Sequence, residues 1–437
     1  MRTQSEKDIA GDAGAIHRLT YVSGVRLFLS RIKYVLRYSL QPKKFPLFIL
    51  RSSKGGVLRT QKIERLIRPG KEVRFRGHYY FTPNLPRRPS PVFDQMAAQG
   101  GLNATAAGTP VKRRIDVVVL GMTRRCNLHC KHCYERFNIG DRDAVPIRRW
   151  KEIISQLQDL GTNIIALSGG EPMLRFDGVL ELLECGDRRR SDFHVHTSGQ
   201  GVTRERAEML ERAGLAAAAV GLDDVDPERH DSLRGHRGAF DGAVQALGHF
   251  RRAGIFTYVN MCVTRAIVRV NDLERYFDLT KRLGVGFIEM LEPRPCGGFL
   301  KTQDEMLLTS ADRERLVAFY RAGSTMRKYR NHPILFYLPY IEHADRMGCL
   351  MGGLSHLHID SLGNVNPCAL LPVTFGNIME EDFPVIYERM RKAIPRPLHR
   401  ECPSITLGRV LRARSDDGRL SPVPFESVAQ EWAALYS

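Results

Sequence analysis

The sequence has no uninterrupted apolar run of the roughly 18 residues that a membrane-spanning helix needs, so nothing in it reads as a bilayer span. Its opening stretch, MRTQSEKDIAGDAG, lacks the apolar core of a secretory signal. Cysteine is scarce and odd in number, nine in 437 residues, which argues against a secreted disulfide framework and leads us to expect a reducing cytoplasm. No internal repeat is visible beyond an alternation of strands and helices. No recognised nucleic-acid motif is present, so nucleic acid is not expected as a partner. What remains is a globular chain, 43% hydrophobic and long enough for two or three domains.

Acidic residues are nearly missing from one part of the chain. Met1–Arg114 holds 23 lysines and arginines against 6 acids, or +17 of the formal +18, which leaves the remainder close to neutral. Such asymmetry marks either a module that meets an anionic partner or a solvated basic face. Within it, VRLFLSRIKYVLRYSL (Val25–Leu40) puts Arg26, Ser30, Lys33 and Arg37 on one helical face with apolar residues around most of the rest. Interfacial membrane helices share this pattern with helices packed into a groove of their own protein, so contact with an anionic membrane surface is one expectation for this module. RPGKEVRFRGHYYF (Arg68–Phe81) alternates basic and aromatic residues and reads as a strand with one face available to phosphates or an acidic substrate.

AAQGGLNATAAGTP (Ala97–Pro110) has linker composition. We therefore expect a basic N-terminal module over 1–96, a linker over 97–113, a core over 114–300 and a further domain over 301–437. In the core, buried-strand patterns (IDVVVLGM, NIIALS, FHVHTS, LAAAAVGL, FTYVNMCVT, GFIEML) alternate with amphipathic helical ones such as IRRWKEIISQLQDLG and VNDLERYFDLTKRLG. Six such units predict an α/β fold with a parallel sheet wound as a partial (β/α)6 barrel of TIM type. Beyond EPRPCGGF the rhythm breaks into a helix around SADRERLVAFYRAG and a β-hairpin at HLHIDSLGNVNPCAL, as in a small α+β domain.

Three of the nine cysteines, Cys126, Cys130 and Cys133, fall within TRRCNLHCKHCYERF, directly after the first core strand. Strand ends and the loops after them build active sites in parallel barrels. With His129 or His132 as a fourth donor the loop could bind zinc and serve in a non-catalytic interaction protein, but no second ligand pair is close by. Three thiolates can alternatively hold three corners of a [4Fe-4S] cube and leave one iron open.

The spacing Cys126-x3-Cys130-x2-Cys133, followed at the end of the second strand by SGGEP (Ser168–Pro172), resembles the radical S-adenosylmethionine (SAM) superfamily over about Arg114–Glu292. The resemblance implies that the three cysteines ligate a [4Fe-4S] cluster whose open iron chelates SAM. Reductive cleavage then gives a 5'-deoxyadenosyl radical that abstracts a hydrogen atom from substrate. It implies SAM contacts at Gly169, Gly170 and Glu171, at Thr197 and Ser198 in HTSGQGVT, and at the backbone of His132. In LDDVDPERHDSLRG the family commonly carries a serine just before Leu-Asp; this chain has Gly221, and Asp223 and Arg234 are the candidate substitutes.

Cys349, Gly363, Cys368 and Cys402 are spaced like the start of the auxiliary-cluster domain called SPASM, or Twitch in its shorter form. This resemblance implies a second [4Fe-4S] cluster with three protein thiolates, its fourth ligand coming from substrate, a nearby side chain or Cys296. Cys185 and Cys262 are expected to be ordinary core residues. The architecture implies modification of a peptide or protein as the first expectation and of a lipid or tetrapyrrole, at the membrane surface, as the second, with electrons from an external donor. The catalytic residues and the reaction after hydrogen abstraction are not legible.

Overall fold

The computed structural model describes residues 17–27, 29–30, 71–98, 115–300, 307–413 and 422–437. The helix expected over Val25–Leu40 and the linker expected over 97–113 lie outside the described residues apart from their first few positions.

A small antiparallel sheet, β1 (Thr20–Ser23), β2 (Lys71–Phe75) and β3 (His78–Tyr80), precedes the main sheet. The main sheet is built from β4 (Val117–Thr123), β5 (Ile164–Gly169), β6 (Asp192–Thr197), β7 (Ala217–Gly221), β8 (Phe256–Cys262), β9 (Phe287–Leu291), β10 (Ile334–Tyr337), β11 (His356–Ile359) and β12 (Val365–Asn366). Its order is β10-β9-β8-β7-β6-β5-β4-β11-β12, and β10 through β11 are mutually parallel. Parallel neighbours need crossovers, and the chain supplies helices for them: α1 (Ile147–Asp159), α2 (Phe176–Cys185), α3 (Arg204–Arg212), α4 (Pro227–Arg234), α5 (Ala239–Ala253) and α6 (Leu273–Leu283). The apolar stripe of α1 shows why they cover the sheet. Trp150, Ile153, Ile154 and Leu157 recur at helical spacing and are all buried.

The six core strands stand where the sequence pattern puts them, and the fold is an open α/β barrel. Two further parallel strands come from segments that the pattern left outside the core. β10 joins β9, and the first strand of the expected hairpin, β11, pairs in parallel with β4, with β12 antiparallel beyond it. A four-residue β10 and a hairpin strand carry too little periodicity to announce their partners. No pairing among the described residues joins β10 to β12, so the sheet is not closed.

The N-terminal sheet fills the barrel's lower mouth. Val73, Phe75 and Tyr80 pack on Ala217, Ala219, Phe256, Tyr258, Phe287 and Ile334, which sit in the first residues of β7 to β10. The Tyr80 ring stacks on Phe256 at 3.7 Å between centroids. Lys71 is buried and donates through Nζ to the carbonyls of Tyr329 and His332, both at 2.7 Å. The basic and aromatic alternation therefore serves a different purpose from the expected phosphate-facing strand. Lys71 and the aromatics are internal, Arg88 pairs with buried Glu72, Arg76 with Glu211 at 2.8 Å, and Arg74 is exposed. Among the described residues no helix is long and apolar enough to cross a membrane.

Candidate active site

The upper ends of the strands converge on a cavity of about 200 Å³. All the cysteines of the first motif line it, with Gly169, Gly170 and Glu171 after β5, Thr197 and Ser198 at the end of β6, Gly221 and Asp223 after β7, and Arg234 and His132. His129, by contrast, is exposed and lies outside the lining.

The cysteine loop leaves β4 and is tied down from several sides. Thr123 Oγ1 and the Arg124 amide donate to Asp143 Oδ1 at 2.6 and 3.1 Å, and the Arg175 guanidinium approaches Asp143 from β5's side at 3.2 Å. The amides of His129 and Lys131 donate to the last carbonyls of α4, and the Gly298 amide donates to Cys133 O at 2.9 Å. From the sheet edge, buried Glu135 accepts from Ser361 Oγ at 2.7 Å and Asn138 Nδ2 at 3.0 Å, with His358 Nε2 at 3.2 Å. The hairpin after β11 thus braces the loop.

Burial raises all three thiols, Cys126 to about 11; Cys130 adds to the effect on Cys126 and Cys133, while Arg234 offsets it at Cys130. A bound cation reverses that balance and holds them as thiolates. Among the described residues no three His, Cys, Asp or Glu side chains converge as a single ion would require.

Next to the thiols the backbone is bare. A Cβ on Gly170 would stand 2.2 Å from Arg125 O and 3.1 Å from Cys126 Cβ, so only glycine lets the β5 turn and the cysteine loop approach this closely. Glu171 does not present free oxygens. Oε1 accepts from Thr197 Oγ1 at 2.6 Å and the Met173 amide at 3.1 Å; Oε2 accepts from Ser198 N at 2.8 Å and Oγ at 2.6 Å. These four donors use the carboxylate's acceptor sites and lock the ends of β5 and β6 together.

Asp223 and Arg234 form the opposite wall. Arg234 Nε donates to Asp223 Oδ2 at 2.7 Å, and the Cys262 amide donates to Oδ1 at 2.9 Å. Burial alone would raise the Asp223 carboxyl, but Arg234, followed by His132 and His230, holds it at about 2. The Arg234 guanidinium also hydrogen-bonds Cys130. Gly221 explains its own departure from the expected serine. A Cβ there would stand 2.2 Å from Arg234 Nη2, so the arginine occupies the volume a side chain would fill. Two buried polar atoms on the lining, His132 Nδ1 and Asn260 Oδ1, have no hydrogen-bond partner among the described residues, which suits a polar occupant.

Several lining residues escaped the sequence reading. Cys262 is no core filler; it ends β8 at the cavity, while Cys185 is exposed on α2. Asn260 stands opposite Gly221 in the β7–β8 register and could have been flagged by it, whereas His196 pairs with Ala219, which carries no signal. Arg294 and Glu292 had no motif to mark them.

A second, larger cavity of about 1460 Å³ adjoins the first and shares Leu291, Glu292, Arg294 and Leu370 with it. Cys349, Cys368 and Cys402 all line it. The shared wall is held by Glu292, which accepts from Arg294 Nη1 and Arg313 Nε at 2.9 Å each and from Tyr337 OH at 2.5 Å. Arg294 also hydrogen-bonds Cys402. Cys296 is buried and lines the first cavity.

Comparison with known proteins agrees with this geometry. The profile of the Radical SAM superfamily matches residues 120–275. The AdoMet-dependent heme synthase of Nitratidesulfovibrio vulgaris is 28% identical over 287 residues, 61% of this chain and 77% of that protein. The PqqA peptide cyclase of Streptomyces rochei is 30% identical over 266 residues, 60% of this chain and 70% of that one. In fold, the crystal structure of Streptococcus suis SuiB bound to precursor peptide SuiA superposes with a TM-score of 0.54 at 19% identity, over 70% of this chain and 74% of that one. The match across most of the cyclase's length, joined to a three-cysteine loop at the top of an open parallel barrel, establishes that this chain is an enzyme of the radical SAM superfamily.

Proposed function

We propose that this enzyme modifies a peptide or protein by hydrogen-atom abstraction, with its SAM-binding [4Fe-4S] cluster on Cys126, Cys130 and Cys133 and one auxiliary cluster on Cys349, Cys368 and Cys402. Residues 114–300 would form the SAM-cleaving core, to whose sheet β10 and β11 add strands, and the rest of 301–437 the auxiliary region. When bound, cluster and SAM supply the 5'-deoxyadenosyl radical; the chain supplies position and exclusion of water. Gly169 and Gly170 offer backbone carbonyls to the SAM ammonium group, and Glu171 keeps them in place by joining β5 to β6. Arg234, its charge balanced by Asp223, would hold the SAM carboxylate from the cavity wall. His132 contributes its backbone beside adenine, and Thr197 and Ser198 bound the cavity from β6.

The observation that carries the peptide reading is the size of the second cavity. Small-molecule pockets typically hold about 300–1,000 Å³. At about 1460 Å³, and sharing four lining residues with the first cavity, this one has room for an extended chain segment beside the auxiliary cluster. The 30% identity to a peptide cyclase supports the same reading. A tetrapyrrole is the second reading, favoured by the heme synthase relatives.

Anaerobic reconstitution with SAM and a chemical reductant tests the core of this. Release of 5'-deoxyadenosine is expected from the wild-type protein and not from Cys126→Ala; cleavage that survives in the variant refutes the ligand assignment. Transfer of deuterium from a labelled peptide into 5'-deoxyadenosine separates the peptide from a deuterated tetrapyrrole, for which no transfer is expected.

A further inference from the structure

The auxiliary site has three thiols and a [4Fe-4S] cube has four irons to ligate. We propose that Glu342 supplies the remaining protein ligand, through its carboxylate, which rests on the auxiliary-cluster reading above. Glu342 follows β10 directly, after the short helix Leu338–Ile341, so the end of the outermost parallel strand sets its position. It lines the second cavity together with Cys349, Cys368 and Cys402.

Its surroundings are those of a ligand without a counter-charge. The side chain is 13% exposed, and its carboxylate lies beside the Leu350 backbone and close enough to the Cys349 and Cys368 thiols to act on both electrostatically. Among the described residues no lysine or arginine pairs with it; the nearest cationic candidate is His356, with Nδ1 at 3.6 Å. A buried carboxylate is costly unless it takes up a proton or a cation lies against it. Iron bound by the three neighbouring thiolates is such a cation, and oxygen ligation by a carboxylate is ordinary iron chemistry.

Cys296 is the competing ligand, since it too lies near Cys368 and Cys402. The cavity linings favour Glu342. Cys296 lines the SAM-side cavity and Glu342 the other, on the side of the three cysteines. A cluster with one oxygen corner has one iron unlike the rest, in charge distribution and in exchange with added ligands.

The test isolates this cluster in the full-length chain by replacing Cys126, Cys130 and Cys133 with alanine. After reconstitution, about four irons per chain are expected. Adding Glu342→Gln or Glu342→Cys should shift the Mössbauer signal of one iron and the electron paramagnetic resonance spectrum of the reduced cluster, with Cys296→Ala leaving both unchanged. Unchanged spectra in both Glu342 variants, or the shift appearing in Cys296→Ala, overturns the proposal. Should Glu342→Gln lose the cluster, recovery of iron by Glu342→Cys supports ligation and failure to recover it counts against. The underlying reading fails separately, if replacing Cys349, Cys368 and Cys402 in the same background leaves the iron content intact.

Discussion

Replacing Gly221 with serine would restore the residue common at this point of the superfamily, and the structure turns that restoration into a lesion. The new Cβ would meet Arg234 Nη2 at 2.2 Å and Cζ at 2.7 Å. A guanidinium can ordinarily swing away from such a contact at little cost. Here it is held, because Arg234 is 12% exposed, and its Nε bond anchors Asp223, which is 1% exposed. Displacing it forfeits a charge-assisted hydrogen bond of about 1.5–3 kcal/mol, with a ceiling of about 3–5 kcal/mol if Asp223 is left without its cation. Gly221→Ala introduces the same Cβ without the hydroxyl, so both variants should lose similar stability in urea titrations. SAM affinity, measured by calorimetry on reconstituted protein, should fall roughly ten- to a hundredfold if Arg234 faces the SAM carboxylate. In an Arg234→Ala background the serine should cost little, since its clash partner is gone. Wild-type stability and affinity in Gly221→Ser, or an undiminished penalty in the Arg234→Ala background, would refute the reasoning.

Other perturbations address separate layers of the molecule. Burial pushes Glu289, inside the barrel, up to about 7 from 4.5. Below about pH 4.5 it is protonated whether folded or not; between 4.5 and 7 only the unfolded chain releases the proton, so stability falls across that window, by roughly 3 kcal/mol in all. Glu289→Gln should therefore gain on the wild type between pH 5 and pH 8, and an equal difference at both values contradicts the assignment. Tyr80→Ala opens a hole in the plug under the barrel and should cost about 3–5 kcal/mol in denaturant titrations. Because that plug lies at the end opposite the cysteines, SAM cleavage per folded molecule should stay unchanged. Glu171→Gln keeps the shape but trades a four-fold acceptor for an amide whose nitrogen faces hydroxyl and amide donors. Looser β5 and β6 ends should raise the SAM dissociation constant, with no change expected if Glu171 were only a turn residue.

How far the sequence could be read depended on whether each residue's partners lay within one periodic segment. α1 and the six core strands are legible because Trp150, Ile153, Ile154 and Leu157, or the runs IIALS and AAAAV, carry their burial in their own spacing. The cysteine loop is legible because its three donors fall within eight residues of one another. Arg234 and Gly221 are a different case. Thirteen positions apart, they are complementary in volume, and the missing serine becomes intelligible only when α4 folds its last residue back over the end of β7. Glu342, Arg294 and Cys262 belong to the same class. Nothing in a window around any of them speaks of a cluster, because β10, the β9 exit loop and β8 deliver them to the cavities independently. The N-terminal segment makes the point in the other direction. KEVRF looks cationic along the chain, yet in the fold Lys71 donates to two buried carbonyls and Phe75 packs into the barrel mouth, so apparent charge on the strand is spent internally. A charge pattern therefore predicts a partner only for those side chains that the fold leaves outward, and in β2 that is Arg74 alone. If β2 bound an anionic partner, Arg74→Glu should abolish salt-sensitive binding to anionic vesicles or an acidic peptide. The plug reading expects no change, because no other basic side chain of β2 reaches solvent.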